Sequence, residues 1–316
     1  MQTRTGNEAA SAATPQRKLG ATGHGSGLRR QQMRYAILFV APALIVYLVF
    51  MVYPFLYTIY LSLTNWNGVD PDKDFVGLAN YARMFGDGAA LQSFFNNVIW
   101  VIIGTIAPVV IGLLEALIVW SVTRGSVIWR TLFFLPFVLP LVVVAVVWQW
   151  IYHPLYGVVN TVLDSIGLDG LSRGWLADPQ TALYAVLIAA IWGASGFCFL
   201  ILNASLQNVD MSTVEASMID GANWFQRAWN VVIPQIAPQL TMVTTVTLIG
   251  GFAVFDIIFV MTGGGPGHAS EVLGTYTYKA AFNQNEAGYG SALAMLITAL
   301  SFLSAVIFVR LRERER

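Results

Sequence analysis

The chain has 316 residues, 56% of them hydrophobic and 11% charged, with 17 basic residues balanced by 17 acidic ones. Soluble domains carry about a quarter charged residues, so this composition excludes an ordinary water-soluble core and points to a polytopic membrane protein. A formal net charge of zero argues against nucleic acid as a partner, and a single cysteine, Cys198, excludes an internal disulfide.

Residues 1–34 are rich in Gly, Ala, Ser and Thr, lack an apolar period and end in Arg29, Arg30 and Arg34, so they read as a disordered basic tail. The apolar run that follows is too long for the core of a cleavable signal peptide. Six apolar segments then succeed one another, at about 35–63, 96–122, 131–152, 182–206, 240–261 and 290–309, and a second basic tail occupies 310–316. Each segment is long enough to cross about 30 Å of hydrocarbon. Backbone in lipid must satisfy its own hydrogen bonds, so the expected fold is all-α with six transmembrane helices. No run of alternating short strands suggests a barrel.

Lys and Arg placement sets the orientation. Alternate loops assigned to the outside hold Lys73, Arg83, Arg173 and Lys279, and the other 13 of the 17 basic residues fall in the tails, in the second loop and in 207–238. Both termini and the 207–238 segment are therefore expected in the cytoplasm. The outer loops carry DFVGLANYARMF, WLADP and the Gly-rich turn from Thr262 to Gly267, where a helix must stop. They serve either as plain connections or as a docking surface.

The 207–238 segment contains DMSTVEASMIDGANWFQRAWNVVIPQIAP, from Asp210 to Pro238. Ser212 and Glu215 have capping-box spacing, and Asp220-Gly221 suits a helix end. A second helix is expected over about 223–232, with Phe225, Ala228, Trp229 and Val232 on one side and Pro234 stopping it. The product is a bent helix–turn–helix elbow with an apolar face fit for a protein partner.

Two carboxylates fall inside the apolar segments, Glu115 and Asp256. A charge at a helix centre costs about 2.5–3.5 kcal/mol, which the Leu, Ile, Val and Phe residues of the fifth segment offset at about 0.3–0.6 kcal/mol each. Phe252, Asp256 and Phe259 have the spacing of one helix face, with Phe255 beside them. An aromatic ring packs on the apolar face of a sugar while a carboxylate accepts its hydroxyl hydrogens. Trp192, Ser195, Gly196, Phe199 and Asn203 form a second stripe, in the fourth segment. Helix–helix packing, with Gly193 and Gly196 allowing close approach, is the other reading of these residues. Glu115 has no intramembrane basic partner and is expected to be structural. His24, His153 and His268 are isolated, no metal spacing or catalytic pair is present, and the run Gly263 to Gly267 lacks the Lys-Ser/Thr of a phosphate loop. No cofactor, metal or ATPase site of the chain's own is expected.

Glu215-Ala216, Asp220-Gly221-Ala222, Pro234 and Pro238 resemble the coupling loop of ABC importer permeases. Ser217 and Trp229 depart from the usual alanine and phenylalanine. FVGLANY, LPFVLP, WLADP, FDIIFVMTGGGP and YGSALA resemble the carbohydrate-type subgroup, so the likeness spans about 35–309. The resemblance implies a type I importer permease fold in a bacterial inner membrane. It also implies two ATP-hydrolysing subunits, a second and related permease, and an extracytoplasmic sugar-binding protein as partners. Glu215, Ala216, Asp220, Gly221, Ala222 and Pro234 would couple to the ATPase. Trp192, Ser195, Gly196, Phe199, Phe252, Phe255 and Asp256 would line the sugar cavity. A non-sugar solute such as glycerol phosphate, or an ion-coupled secondary transporter using the membrane carboxylates, are the competing expectations.

Overall fold

The computed structural model describes residues 25–121 and 125–314. In chain order the helices are α1 (Gly25–Tyr47), joined by a π turn at Leu48–Val52 to α2 (Tyr53–Ser62), α3 (Ala79–Met84), α4 (Gly88–Ser121), α5 (Ser126–Val138), α6 (Leu141–Ile151), α7 (Val158–Ser165), α8 (Ala182–Leu206), α9 (Met211–Ile219), α10 (Trp224–Arg227), α11 (Ile233–Gln235), α12 (Ala237–Phe252), α13 (Asp256–Met261), α14 (Leu273–Tyr278) and α15 (Ala287–Arg314). Among the described residues the only β pairing is an isolated bridge between Thr64 and Phe75. Two compact units divide the chain, one through Phe55 and the other from Leu56 onward.

The expected disordered tail is helical from Gly25, because Leu28 to Arg34 are strong helix formers; residues 1–24 lie outside the described residues. Among the described residues four helical stretches, Tyr35–Ser62, α4, α8 and Ala287–Arg312, are long and apolar enough to cross a membrane, and two bent pairs bring the possible spans to six. The third expected span is not one rod: α5 and α6 meet at 99°. Leu139 is extended (φ −75°, ψ 132°) because the ring of Pro140 excludes the helical region from the residue before it. The fifth expected span also breaks, with residues 253–255 unwound between α12 and α13.

Lipid is as apolar as leucine, so close packing rather than water exclusion holds such helices together. The α4–α8 crossing shows it: a Cβ added at Gly112 would lie 2.6 Å from Cys198 Cβ and from the Phe199 nitrogen. On one side of this crossing Trp100 of α4 packs with Leu183–Ala189 of α8, Val144 and Ala145 of α6 and Ile257, Ile258 and Met261 of α13. On the other, Ala116, Leu117 and Val119 pack with Phe199, Leu202 and Leu206, and with Val214, Ala228 and Val232 of the segment after α8. The start of α4 is tied to α14 and α15 through Asp87, which accepts hydrogen bonds from Tyr276 (2.5 Å) and Tyr289 (2.8 Å). Desolvation raises the Asp87 carboxyl, but these two hydroxyls and the N–H groups of Ala90 and Ala89 outweigh it and hold it below its ordinary value.

Gly112→Ala is therefore expected to force α4 and α8 apart and cost about 1–3 kcal/mol. Gly193→Ala, whose Cβ would meet nothing within 4 Å, should be tolerated. Thermal unfolding of the two detergent-solubilised variants checks the contrast; equal melting would refute it.

Candidate transport cavity and elbow

The elbow is built from local hydrogen bonds. Asp210, not Ser212, is the cap of α9: its carboxylate accepts from the Ser212 N–H (2.9 Å), the Ser212 hydroxyl (2.8 Å) and the Thr213 hydroxyl (3.0 Å). The Ser212 hydroxyl bond and then its N–H bond hold the Asp210 carboxyl below its ordinary range. Aspartate two residues earlier wins because its carboxylate is charged and faces the free N–H groups of the first turn. At the other end Gly221 sits at φ +82°, and the Gly221 and Ala222 N–H groups close onto Met218 O (3.1 Å) and Ser217 O (3.0 Å). This is the left-handed helix stop expected of Asp220-Gly221. Asn223 and Gln226 then form a reciprocal cap for α10.

The expected single apolar face of the second helix does not hold together. Ala228 and Val232 are buried, whereas Phe225 (76%) and Trp229 (71%) are exposed. A π turn over Ala228–Val232 adds a residue to the turn and rotates the side chains out of phase. The same turn accommodates Pro234. It lies inside α11 and does not stop the chain; the sharp bend, 75°, comes at Ile236. Glu215, Ala216, Asp220, Gly221 and Pro234 are exposed and Ala222 is half-buried. Sequence reasoning missed their exposed apolar companions Met211 (48%), Met218 (48%) and Ile219 (88%).

A cavity of about 450 Å³ lies between α4, α5, α6, α8, α12 and α13. Trp100, Phe137, Phe197 and Phe255 give it aromatic walls, Gly193, Gly250 and Gly251 give it room, and Asp256 places a carboxylate at it. Of the residues expected there, Phe255 and Asp256 arrive. The other five do not. Trp192 meets Trp148 edge-on at 6.0 Å, and the buried Ser195 hydroxyl donates back to Trp192 O (3.0 Å). Gly196 is the close approach to α5, with a notional Cβ 3.0 Å from Phe133 O, and Phe199 packs edge-to-face on Phe133 at 5.6 Å. Phe252 ends α12 before the break and does not line the cavity. The stripe expected on α8 is out of phase; the side facing the cavity carries Ala190, Ile191, Gly193, Ala194 and Phe197. Nor do Phe252, Asp256 and Phe259 share a face, since the helix is interrupted between the first two. Phe259 stacks instead on Phe255 (5.0 Å) and abuts Tyr278 (5.2 Å).

The break has a visible cause. Asn97, buried on α4, donates to Gly251 O (3.2 Å) and accepts the Leu273 N–H (3.1 Å). Its neighbour Asn96 donates to His268 O and Ala269 O (both 3.1 Å) and Glu271 O (2.8 Å). Gln149 of α6 donates to Val260 O (2.9 Å) and Met261 O (3.2 Å) at the end of α13. Under the loop these bonds hold lies Glu271, fully buried, with Lys279 Nζ at 2.6 Å and His268 Nδ1 at 2.8 Å. Its carboxylate rests on the backbone of Gly264 (φ +87°), where a Cβ would come within 2.5 Å of Oε1. None of Asn96, Asn97, Gln149 or Glu271 was singled out from sequence. Adjacent amides at the start of an apolar run were the available signal. Among the described residues Glu115 Oε2 is buried without a hydrogen-bond partner and His153 stacks on Tyr156 at 3.5 Å; His24 lies outside them.

Among the described residues, long apolar helices and two bent pairs mark a multi-pass membrane protein. Residues 108–316 match the model of the family described as binding-protein-dependent transport system inner membrane component. A relative from Bacillus subtilis (strain 168), the probable ABC transporter permease protein YurN, is 37% identical over 84% of this chain and 91% of its own. The trehalose/maltose transport system permease protein MalF of Thermococcus litoralis is 31% identical over 92% of this chain and 98% of its own. A bacterial alginate ABC transporter solved in complex with an alginate pentasaccharide-bound periplasmic protein has a chain of the same fold, with TM-score 0.79, 20% identity and coverage of 91% and 96%. The chain belongs to the ABC transporter permeases of the binding-protein-dependent inner membrane family.

Removing the ammonium opposite buried Glu271, as in Lys279→Met, is expected to cost about 3–5 kcal/mol, because it strands a charge away from water. Lys279→Met with Glu271→Gln should recover much of that loss. Thermal unfolding of the single and double variants measures the coupling; additive effects would count against the pair.

Proposed function

We propose that this chain is a permease subunit of an ABC importer that moves a sugar or oligosaccharide into the cytoplasm, driven by ATP hydrolysis on separate subunits. The observation that carries the reading is the joining of two features by the same helices: α4 and α8 wall the aromatic cavity at one level and clamp the elbow at another. The resemblance of FVGLANY, LPFVLP, WLADP, FDIIFVMTGGGP and YGSALA to the carbohydrate-type subgroup, and the likeness to the trehalose/maltose permease of Thermococcus litoralis, support a sugar as the solute. The expected assembly is a second, related permease, two ATP-hydrolysing subunits and an extracytoplasmic sugar-binding protein. The chain itself contributes no ATPase chemistry in this scheme.

The bias of the basic residues supports an orientation with both termini and the elbow in the cytoplasm and the Gly-rich loop outside. The elbow then faces the ATPase. Its caps make α9 a rigid knob, with Glu215 and Ala216 on its exposed surface, Asp220-Gly221-Ala222 fixing its end, and Met218 and Ile219 offering apolar contact. Closure of the ATPases on ATP would pull this knob, and α4 and α8 would carry the displacement to the cavity walls. Trp100, Phe137, Phe197 and Phe255 would pack on the apolar faces of a sugar while Asp256 accepts its hydroxyl hydrogens.

Charge reversal in Glu215→Lys is expected to lower ATP-dependent uptake about tenfold, within the usual range of coupling free energies, with assembly of the complex intact. Uptake by intact cells and co-purification of the ATPase subunit are the measurements, and unchanged uptake would remove Glu215 from the contact. Asn223→Cys should react with a membrane-impermeant thiol reagent only in inside-out vesicles; labelling on intact cells would overturn the orientation.

A further inference from the structure

The cavity has a charge sign. Of the described residues that line it, Asp256 alone is ionisable, and no Lys, Arg or His is among them. Asp256 is exposed at the cavity and, among the described residues, has neither a hydrogen-bond nor an ion-pair partner for its carboxylate. The next ammonium along the chain, Lys279, is spent on Glu271 at 2.6 Å. The one side-chain hydroxyl in the lining, Thr247, already donates to Val243 O and Thr244 O (both 3.0 Å). The rest of the wall is aliphatic, aromatic or glycine, a poorly polarisable surround in which an unscreened charge acts over a longer range than in water.

From this we propose that Asp256 is a specificity-determining residue that selects the solute by charge: the cavity admits neutral polyhydroxy solutes and repels anionic ones. The inference rests on the cavity being the transport path. A neutral sugar gains from the carboxylate, which accepts its hydroxyl hydrogens, and from the four aromatic faces, which cover its C–H surfaces. A uronate, a sugar phosphate or glycerol phosphate brings a second negative charge into the same space, with no cation in the lining to receive it. Like charges set side by side in one narrow cavity work as a rejection device rather than a weak attraction.

The test needs no knowledge of the natural solute. Gly193 lines the cavity and its notional Cβ meets nothing within 4 Å, so Gly193→Cys places a thiol in open space there. The one native cysteine, Cys198, is buried. The full transporter in membrane vesicles is treated with cationic trimethylammonium-ethyl, anionic sulfonatoethyl and neutral ethyl methanethiosulfonate, and modification rates are divided by those of a free thiol in solution. The cationic-to-anionic ratio is expected to exceed its solution value by at least about tenfold, to fall to that value in Gly193→Cys with Asp256→Asn, and to shrink in high salt. A ratio unaffected by Asp256→Asn would overturn the charge filter while leaving the cavity accessible. If the thiol introduced by Gly193→Cys were inert to all three reagents, that result would instead overturn the reading of the cavity as a transport path, and the filter with it.

Discussion

Inside hydrocarbon a backbone stops being helical only where another group takes its hydrogen bonds, and here that group is Asn97. The unwound turn at 253–255 frees Gly251 O from its helical partner, and the Asn97 amide donates to it at 3.2 Å. The carbonyl of the same amide accepts the first N–H of α14 at 3.1 Å, so one buried side chain ties the end of α12 to the start of α14. Asn96 does the same for three carbonyls of the loop that follows α13. An orphaned buried peptide group costs about 1–3 kcal/mol, more than a satisfied one returns. The break is therefore stable only while α4 stands beside it. The cavity owes its shape to that dependence, since an unbroken α12–α13 rod would carry Asp256 to another face.

The elbow is held by different means. Its caps are all local: Asp210 to Ser212 and Thr213, Gly221 and Ala222 back to the preceding turn, Asn223 with Gln226. Short helices of this size are not stable alone, and what fixes the elbow on the bundle is the burial of Val214, Ala228, Val232 and Ile236 against Leu117 and Val119 of α4 and Phe199, Leu202 and Leu206 of α8. Trp100 at the cavity and Leu117 at the elbow stand on one unbroken helix, about 25 Å apart by helical rise. A displacement at the elbow would have one continuous helix along which to reach the cavity, with Pro108 lying between the two levels.

The helices were legible in the sequence where length and apolarity decide, as with α8, which begins and ends at the expected residues. The helix stop at Gly221 was legible too, because the chemistry that makes it is local. What escaped was everything that depends on a neighbour in space. The 99° bend at Pro140 was not read, and 131–152 was expected as one span. Pro234 reads as a stop, and only the π turn ahead of it shows how a proline is carried inside a helical run. The break at 253–255 has no proline at all; the carbonyl it frees, Gly251 O, is taken by Asn97, far away in sequence. With the break hidden, the rotation of every residue after Phe252 was misread, although Phe255 and Asp256 still fell at the cavity.

Two glycines on α8 make the same point in opposite directions. Gly193 and Gly196 both suggest close helix approach, and sequence reasoning put Gly196 in the cavity. The structure exchanges their roles: Gly196 packs on Phe133 and Phe137 of α5, while Gly193 opens into the cavity. A missing side chain permits contact when a helix stands opposite and leaves a void when none does, and the helical register of one chain does not say which. Gly112 and Gly250 repeat the pair, one in contact with Cys198 and Phe199, the other open. The bundle is thus dense at the α4–α8 crossing and hollow beside it, and the hollow is walled by aromatic rings because those are the side chains that reach across the space the glycines leave. Asp256 stands at that hollow, and no Lys, Arg or His is among the described residues that line it.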